Sequence, residues 1–157
     1  MELFVIRHAE ATPRELSPSD PERPLTPRGT KRFDAVVKGL CALEVRFDRV
    51  LHSPWLRAVQ TADRLGRLID GQTEVTPLLA SGPSPALLAK LTGDRVAVVG
   101  HEPWLGELVA WLVTGDGNAG ERFPFDKGGV VWLEGAPVPG GMLLRASLPC
   151  GVVRKLV

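Results

Sequence analysis

The sequence predicts a three-layer α/β/α sandwich with a largely parallel central sheet. Two short runs, Leu3-Phe4-Val5-Ile6 and Val96 to Val99, are almost wholly apolar and rich in β-branched residues, as strands covered on both faces should be. Three hydroxyl–proline pairs, Thr26-Pro27, Ser53-Pro54 and Ser84-Pro85, mark helix starts: the hydroxyl caps a free N–H and proline lacks one. Strand-like and helix-like segments then alternate through residue 113, the pattern of parallel strands joined by crossover helices.

The first strand covers Leu3 to Ile6. The stretch from Glu10 to Pro24 holds four prolines and many charges, so it reads as a surface loop of the kind that often rims a functional site. After Thr26, apolar residues at Phe33, Val36, Val37, Leu40 and Cys41 form the stripe of an amphipathic helix. A strand follows from Arg49 to Leu51. After Ser53, a second stripe through Ala58, Ala62, Leu65 and Ile69 closes at Asp70-Gly71, where glycine suits a helix end. Glu74 to Thr76 is a further strand, and Pro85 to Leu91 a short helix. Beyond the strand at Val96 to Val99, a fourth helix carries Trp104, Leu105, Leu108, Val109 and Leu112 and ends at Thr114-Gly115. Two last runs, Gly129 to Leu133 and Met142 to Ala146, flank a Gly/Pro-rich segment and are placed to pair antiparallel.

Neither an internal repeat nor a dividing linker interrupts this order, so residues 1–157 read as one domain, long enough at 16.9 kDa to bury a sizeable core. Hydrophobic residues make up 44% and charged residues 24%, the profile of a soluble globular protein. No apolar run reaches the roughly 18 residues of a membrane span, and no basic leader with a cleavage site precedes the first strand. A cytoplasmic protein is the expectation. The net charge of +1 is scattered, which argues against general electrostatic binding to nucleic acid or to acidic membranes. Cys41 and Cys150 belong to no CxxC pair and read as two reduced, mostly buried thiols.

The chemistry gathers where strands end. "FVIRHAEA" brings the first strand to a stop at Arg7-His8; the second ends at His52-Ser53, with Arg57 in the turn beyond; the fourth ends at Gly100-His101. In an open α/β sheet, ligands bind outside the carboxyl ends of the strands, so residues 7, 8, 57 and 101 are expected to converge. The cluster would be cationic and ringed by helix N-termini, which favour anions. Two arginines can clamp a phosphoryl group through paired hydrogen bonds. Three histidines invite a metal reading, yet they show no HxH or HxxxH spacing. His52 is read as a structural or rim residue, Thr26 as an N-cap, and Trp55 and Trp104 as core or rim packing. Gly128-Gly129 makes no phosphate loop.

"FVIRHAEA", "RPLTPRG", "VLHSPWLRAVQTA" and "VVGHEPWL" together resemble the histidine phosphatase superfamily, whose fold is phosphoglycerate mutase-like. The short length, the "RPLT" segment and the terminal "SLPCGVVRKL" are most similar to the SixA-type phosphohistidine phosphatases. This resemblance implies that His8 is the nucleophile, that Arg7 and Arg57 bind the phosphoryl oxygens, and that His101 completes the pocket and stabilises the transferring group. It further implies a metal-independent phosphatase without cofactor, acting on phosphohistidine displayed by a phosphotransfer domain. Ala9 stands where the family usually has glycine, a tolerable change provided the backbone there needs no positive φ.

Phosphomonoester-cleaving relatives carry a glutamate after the third strand as general acid; here that stretch reads Thr76-Pro77-Leu78-Leu79-Ala80-Ser81. An alkoxide leaves poorly without a proton donor, whose contribution is about 10²–10⁴-fold. Imidazole leaving from phosphohistidine can depart as a neutral base, so the missing acid is tolerable for a P–N substrate. The alternative within enzymes is a phosphomonoesterase acting on a small metabolite, with Glu10 or Glu102 as acid. A mutase is disfavoured because the chain lacks long enclosing insertions. A phosphoprotein-binding module without turnover and a His-based metalloenzyme are the readings from other classes.

Overall fold

The computed structural model describes residues 1–157. Six strands form one sheet: β1 (Glu2–Arg7), β2 (Phe47–His52), β3 (Ile69–Val75), β4 (Arg95–Gly100), β5 (Val130–Gly135) and β6 (Met142–Leu148), in the order β3-β2-β4-β1-β5-β6. The β3-β2-β4-β1 part is parallel, with Val5 opposite Val98 and Val50 opposite Ala97. β5 runs antiparallel to β1 and β6 antiparallel to β5. The sheet is therefore mixed, parallel at its centre and antiparallel along one side.

Strand periodicity sorts the core into two layers. Alternate residues of β1 face opposite ways. Phe4 and Ile6 join Phe33, Val36 and Leu40 from α1 (Pro27–Ala42), Ala58 and Ala62 from α2 (Leu56–Arg64) and Val153 from α5 (Cys150–Val153). Leu3 and Val5 instead meet Leu87 from α3 (Pro85–Lys90) and Leu105, Leu108 and Val109 from α4 (Trp104–Thr114). The result is the expected three layers. Phe4 packs edge-on to Phe47 at 5.3 Å and stacked on Trp132 at 5.5 Å; truncating so buried an aromatic costs about 3–5 kcal/mol.

Four details depart from the sequence reading. The second helix does not start at the Ser53-Pro54 pair: α2 begins at Leu56, because Ser53 is drawn into a different bond described below. Nor does it reach Asp70-Gly71; it ends at Arg64, a 3-10 turn follows, and Ile69, Asp70 and Gly71 lie in β3. Extended pairing with β2 outweighs the helical spacing of Ile69, since Gly71 lets the strand approach Asp48 so closely that a Cβ would overlap its carbonyl. Cys150 is buried but Cys41, on the solvent side of α1, is exposed. The segment from Glu10 to Pro24 is no free surface loop, for it holds a 3-10 turn at Arg14–Leu16 and its later part folds onto α2.

Candidate active site

Parallel pairing of β1, β2 and β4 places their C-terminal ends side by side, and their last residues with them. The His8 amide donates to Gly100 O at 3.0 Å and the Ser53 amide to Val99 O at 3.0 Å. Arg57, in the first turn of α2, enters from above. All four residues singled out in the sequence meet: the His8 and His101 rings lie 5.2 Å apart, Arg57 Nε donates to His8 Nε2 at 3.2 Å, and Arg7 and Arg57 both act electrostatically on the two imidazoles. His8, Arg57 and His101 are each at most 4% exposed.

His8 is fixed by its own backbone. Its Nδ1 donates to Ala9 O at 2.7 Å, which leaves the Nε2 lone pair to accept from Arg57. Burial pushes the His8 pKa down to about 3, helped by the charges of Arg57, His101 and Arg7. The ring is neutral at pH 7, with one nitrogen free to attack. Ala9 needs no positive φ, so the departure from glycine costs nothing there. Its amide donates to Thr61 Oγ at 3.0 Å, and Thr61 in turn donates to Arg57 O at 2.7 Å. The threonine of "VQTA" thus ties the turn bearing His8 to the helix bearing Arg57.

His101 is held differently. Its Nε2 sits 2.8 Å from Ser53 Oγ, which also accepts the Trp55 amide at 3.2 Å. Its Nδ1 is buried without a partner. Trp55 and Trp104 pack against the ring at 4.6 and 6.1 Å. Burial, with Arg57 as the largest charge effect, lowers the His101 pKa to about 3 as well.

Arg57 lies over the Trp55 ring at 4.8 Å. Its counter-ion is Asp20, from the Pro-rich loop: Nη1 donates to Asp20 O at 2.7 Å and Nη2 lies 3.5 Å from the carboxylate. Although burial opposes it, Arg57, Arg14 and Arg23 hold the Asp20 carboxyl below its ordinary range. Arg7 anchors Nη1 on Phe125 O at 2.7 Å, and its Nε is buried without a partner. His52 stays apart, buried with Nδ1 on Ser53 O.

Of the two carboxylates weighed as acids, Glu10 accepts from Thr26 Oγ at 3.0 Å and lies 3.9 Å from Arg32, engaged at the start of α1. Thr26 caps that helix as expected, bonding the Gly29 amide at 2.8 Å. Glu102 is half-buried beside Arg7; burial raises its pKa and its Oε1 lacks a partner. Residues 76–81 form a Thr76-capped 3-10 turn with no carboxylate. Ser53, Thr61 and Asp20 were not singled out as site residues: the first resembled a helix cap, and the others betray themselves only through contacts distant in sequence.

An unpartnered N–H on Arg7, an unpartnered ring nitrogen on His101 and a buried neutral imidazole on His8 against Arg57 suit a tetrahedral oxyanion. Fold and site together define a phosphoryl-transfer enzyme of the α/β sandwich class. The profile of the histidine phosphatase superfamily (branch 1) matches residues 3–81, and the chain belongs to that superfamily. Phosphohistidine phosphatase SixA of Escherichia coli is 35% identical over 125 residues, covering 74% of this chain and 76% of the relative. An uncharacterized protein of Picosynechococcus is 33% identical over 144 residues, covering 85% and 84%. Among solved structures, SixA complexed with tungstate superimposes with a TM-score of 0.83 at 28% identity, over 96% of this chain and 98% of that one.

Proposed function

We propose that the protein is a phosphohistidine phosphatase that removes phosphoryl groups from histidine on a phosphotransfer protein, with His8 as nucleophile. One observation carries the reading: a buried, neutral His8 presents the lone pair of Nε2 to Arg57 while Nδ1 is committed to Ala9 O. In the mechanism, substrate phosphate displaces His8 from Arg57, and Arg7 and Arg57 grip the equatorial oxygens. Nε2 of His8 attacks phosphorus and the Nε2–P bond forms; the substrate imidazole, carrying a proton on its other ring nitrogen, takes the P–N bonding pair and leaves neutral. Ser53 accepts the Trp55 amide; with its own proton donated to His101 Nε2 at 2.8 Å, His101 would carry its hydrogen on Nδ1 and offer it to the transferring group. Water then attacks phosphorus, the Nε2–P bond breaks, and inorganic phosphate departs.

The P–N substrate is supported by leaving-group chemistry, since residues 76–81 offer no acid and imidazole needs none. The similarity to SixA supports the same substrate class. With such a substrate the enzyme would act in cytoplasmic signal transduction, as a single domain spanning residues 1–157, without cofactor. A second reading, a phosphomonoesterase, is favoured by the half-buried Glu102 with its raised pKa, suited to protonating an alkoxide. Turnover of a phosphohistidine peptide against simple phosphate esters decides between them. The proposal expects strong preference for the peptide; preference for the ester, lost in Glu102→Gln, would establish the second reading.

A further inference from the structure

Cations without a carboxylate partner concentrate on one face of the chain. Ten of its 19 Lys and Arg residues have a carboxylate within 4.0 Å. Of the nine that do not, five lie on one face: Arg28 and Lys31 on α1, Lys127 in the loop before β5, and Arg154 and Lys155 at the end of α5. Arg32 joins them at 3.9 Å from Glu10. Two adjoining clefts that share Arg32 and Arg154 bring these six together.

Two carboxylates, Glu10 and Asp126, stand on this face. Glu10 accepts from Thr26 Oγ, and Asp126 accepts the Cys150 amide at 3.2 Å. Six cations against two such anions leave a local charge of +4 on a chain whose total is only +1. Like charges so close repel and are costly to gather without a partner. The position matters as much as the sign. The first cleft is lined by Ala9 and Glu10, the residues directly after His8, and by Asp126 to Gly128, next to the Phe125 carbonyl that holds Arg7. The basic face therefore starts beside the turn that follows His8 and runs along α1 and α5.

Resting on the phosphohistidine reading above, we infer that this face docks the acidic surface surrounding the phosphorylated histidine of a protein substrate. Most cations elsewhere are paired or, like Lys38 and Arg67, share their cleft with carboxylates, and the carboxylates of the docking partner would supply the counter-charges missing on this face. Electrostatic docking of this kind raises encounter rates roughly 10–10³-fold and weakens with ionic strength.

The test uses two phosphohistidine peptides of equal length, one flanked by glutamates and one by glutamines. For the wild-type protein in 50 mM salt, kcat/KM should favour the Glu-flanked peptide by about tenfold or more, through KM, and the preference should vanish near 1 M salt, where screening falls to about 3 Å. In Arg28→Glu/Lys31→Glu/Lys155→Glu the ratio should fall to one or below. A wild-type ratio near one at low salt, or a variant that keeps the wild-type ratio, would overturn the docking face and leave the phosphatase reading standing. Fluorescence anisotropy with the unphosphorylated Glu-flanked peptide reads docking without turnover: salt-sensitive binding lost in the variant supports it, and equal binding to both proteins contradicts it. Hydrolysis of neither peptide would instead sink the phosphohistidine reading.

Discussion

The ends of β1 and β4 are neighbours that carry the same residue type in opposite hydrogen-bonding states. His8 and His101 each directly follow a buried strand of the parallel part, and burial drives both pKa values down to about 3. What differs is the nitrogen each ring has left. At position 8 a backbone carbonyl takes Nδ1–H and exposes the Nε2 lone pair. At position 101 a serine hydroxyl takes Nε2 and leaves Nδ1 unpartnered. Burial makes an imidazole neutral; the partner of its other nitrogen decides whether it is a nucleophile or a donor.

The comparison can be broken at its strongest point by His8→Ala, which should lower kcat/KM toward a phosphohistidine peptide by at least about 10⁴-fold and abolish acid-labile, base-stable labelling. Arg57→Ala should cost about 10³-fold, since it removes a bidentate charge-assisted contact from the transferring group. His101→Ala should cost about 10²–10³-fold, as for a lost oxyanion donor, yet still form label on residue 8 in a single turnover. Label lost in His101→Ala and kept in His8→Ala would reverse the assignment of the two rings. Ser53→Ala sharpens the contrast further: it frees His101 Nε2 and unpairs the Trp55 amide, and kcat should drop about tenfold with KM little changed.

The contrast also reaches stability. An unfolded histidine titrates near 6.5 and these two near 3, so between those values the unfolded chain binds protons that the folded one does not. Stability should fall as pH is lowered through that window, by up to about 1.4 kcal/mol per pH unit for each ring. Urea unfolding at pH 7, 5 and 4 should show a shallower decline in His8→Asn than in the wild-type protein. Equal slopes would mean that His8 is not held neutral by the fold.

Much of this was legible along the chain because strand ends carry it. Arg7-His8 and Gly100-His101 follow apolar runs whose burial is unmistakable, and the rule that ligands sit at the carboxyl edge of such a sheet then brings them together. Side-chain periodicity likewise exposed the two core layers. Ser53 escaped because a hydroxyl before proline satisfies a helix N-terminus locally, and only the third dimension shows His101 competing for it. Asp20 escaped for a related reason: its partner Arg57 lies 37 positions away, across a loop with no periodicity to read. The end of α2 was misjudged because Ile69 fits a helical stripe and a strand equally well, and its β2 neighbour settles the matter.

The most direct test is to quench a single turnover of a phosphohistidine peptide and locate the phosphorus on the enzyme by ³¹P NMR and peptide mapping. Phosphorus on Nε2 of His8 is the predicted result; phosphorus on Nδ1, on His101, or on neither ring would contradict it.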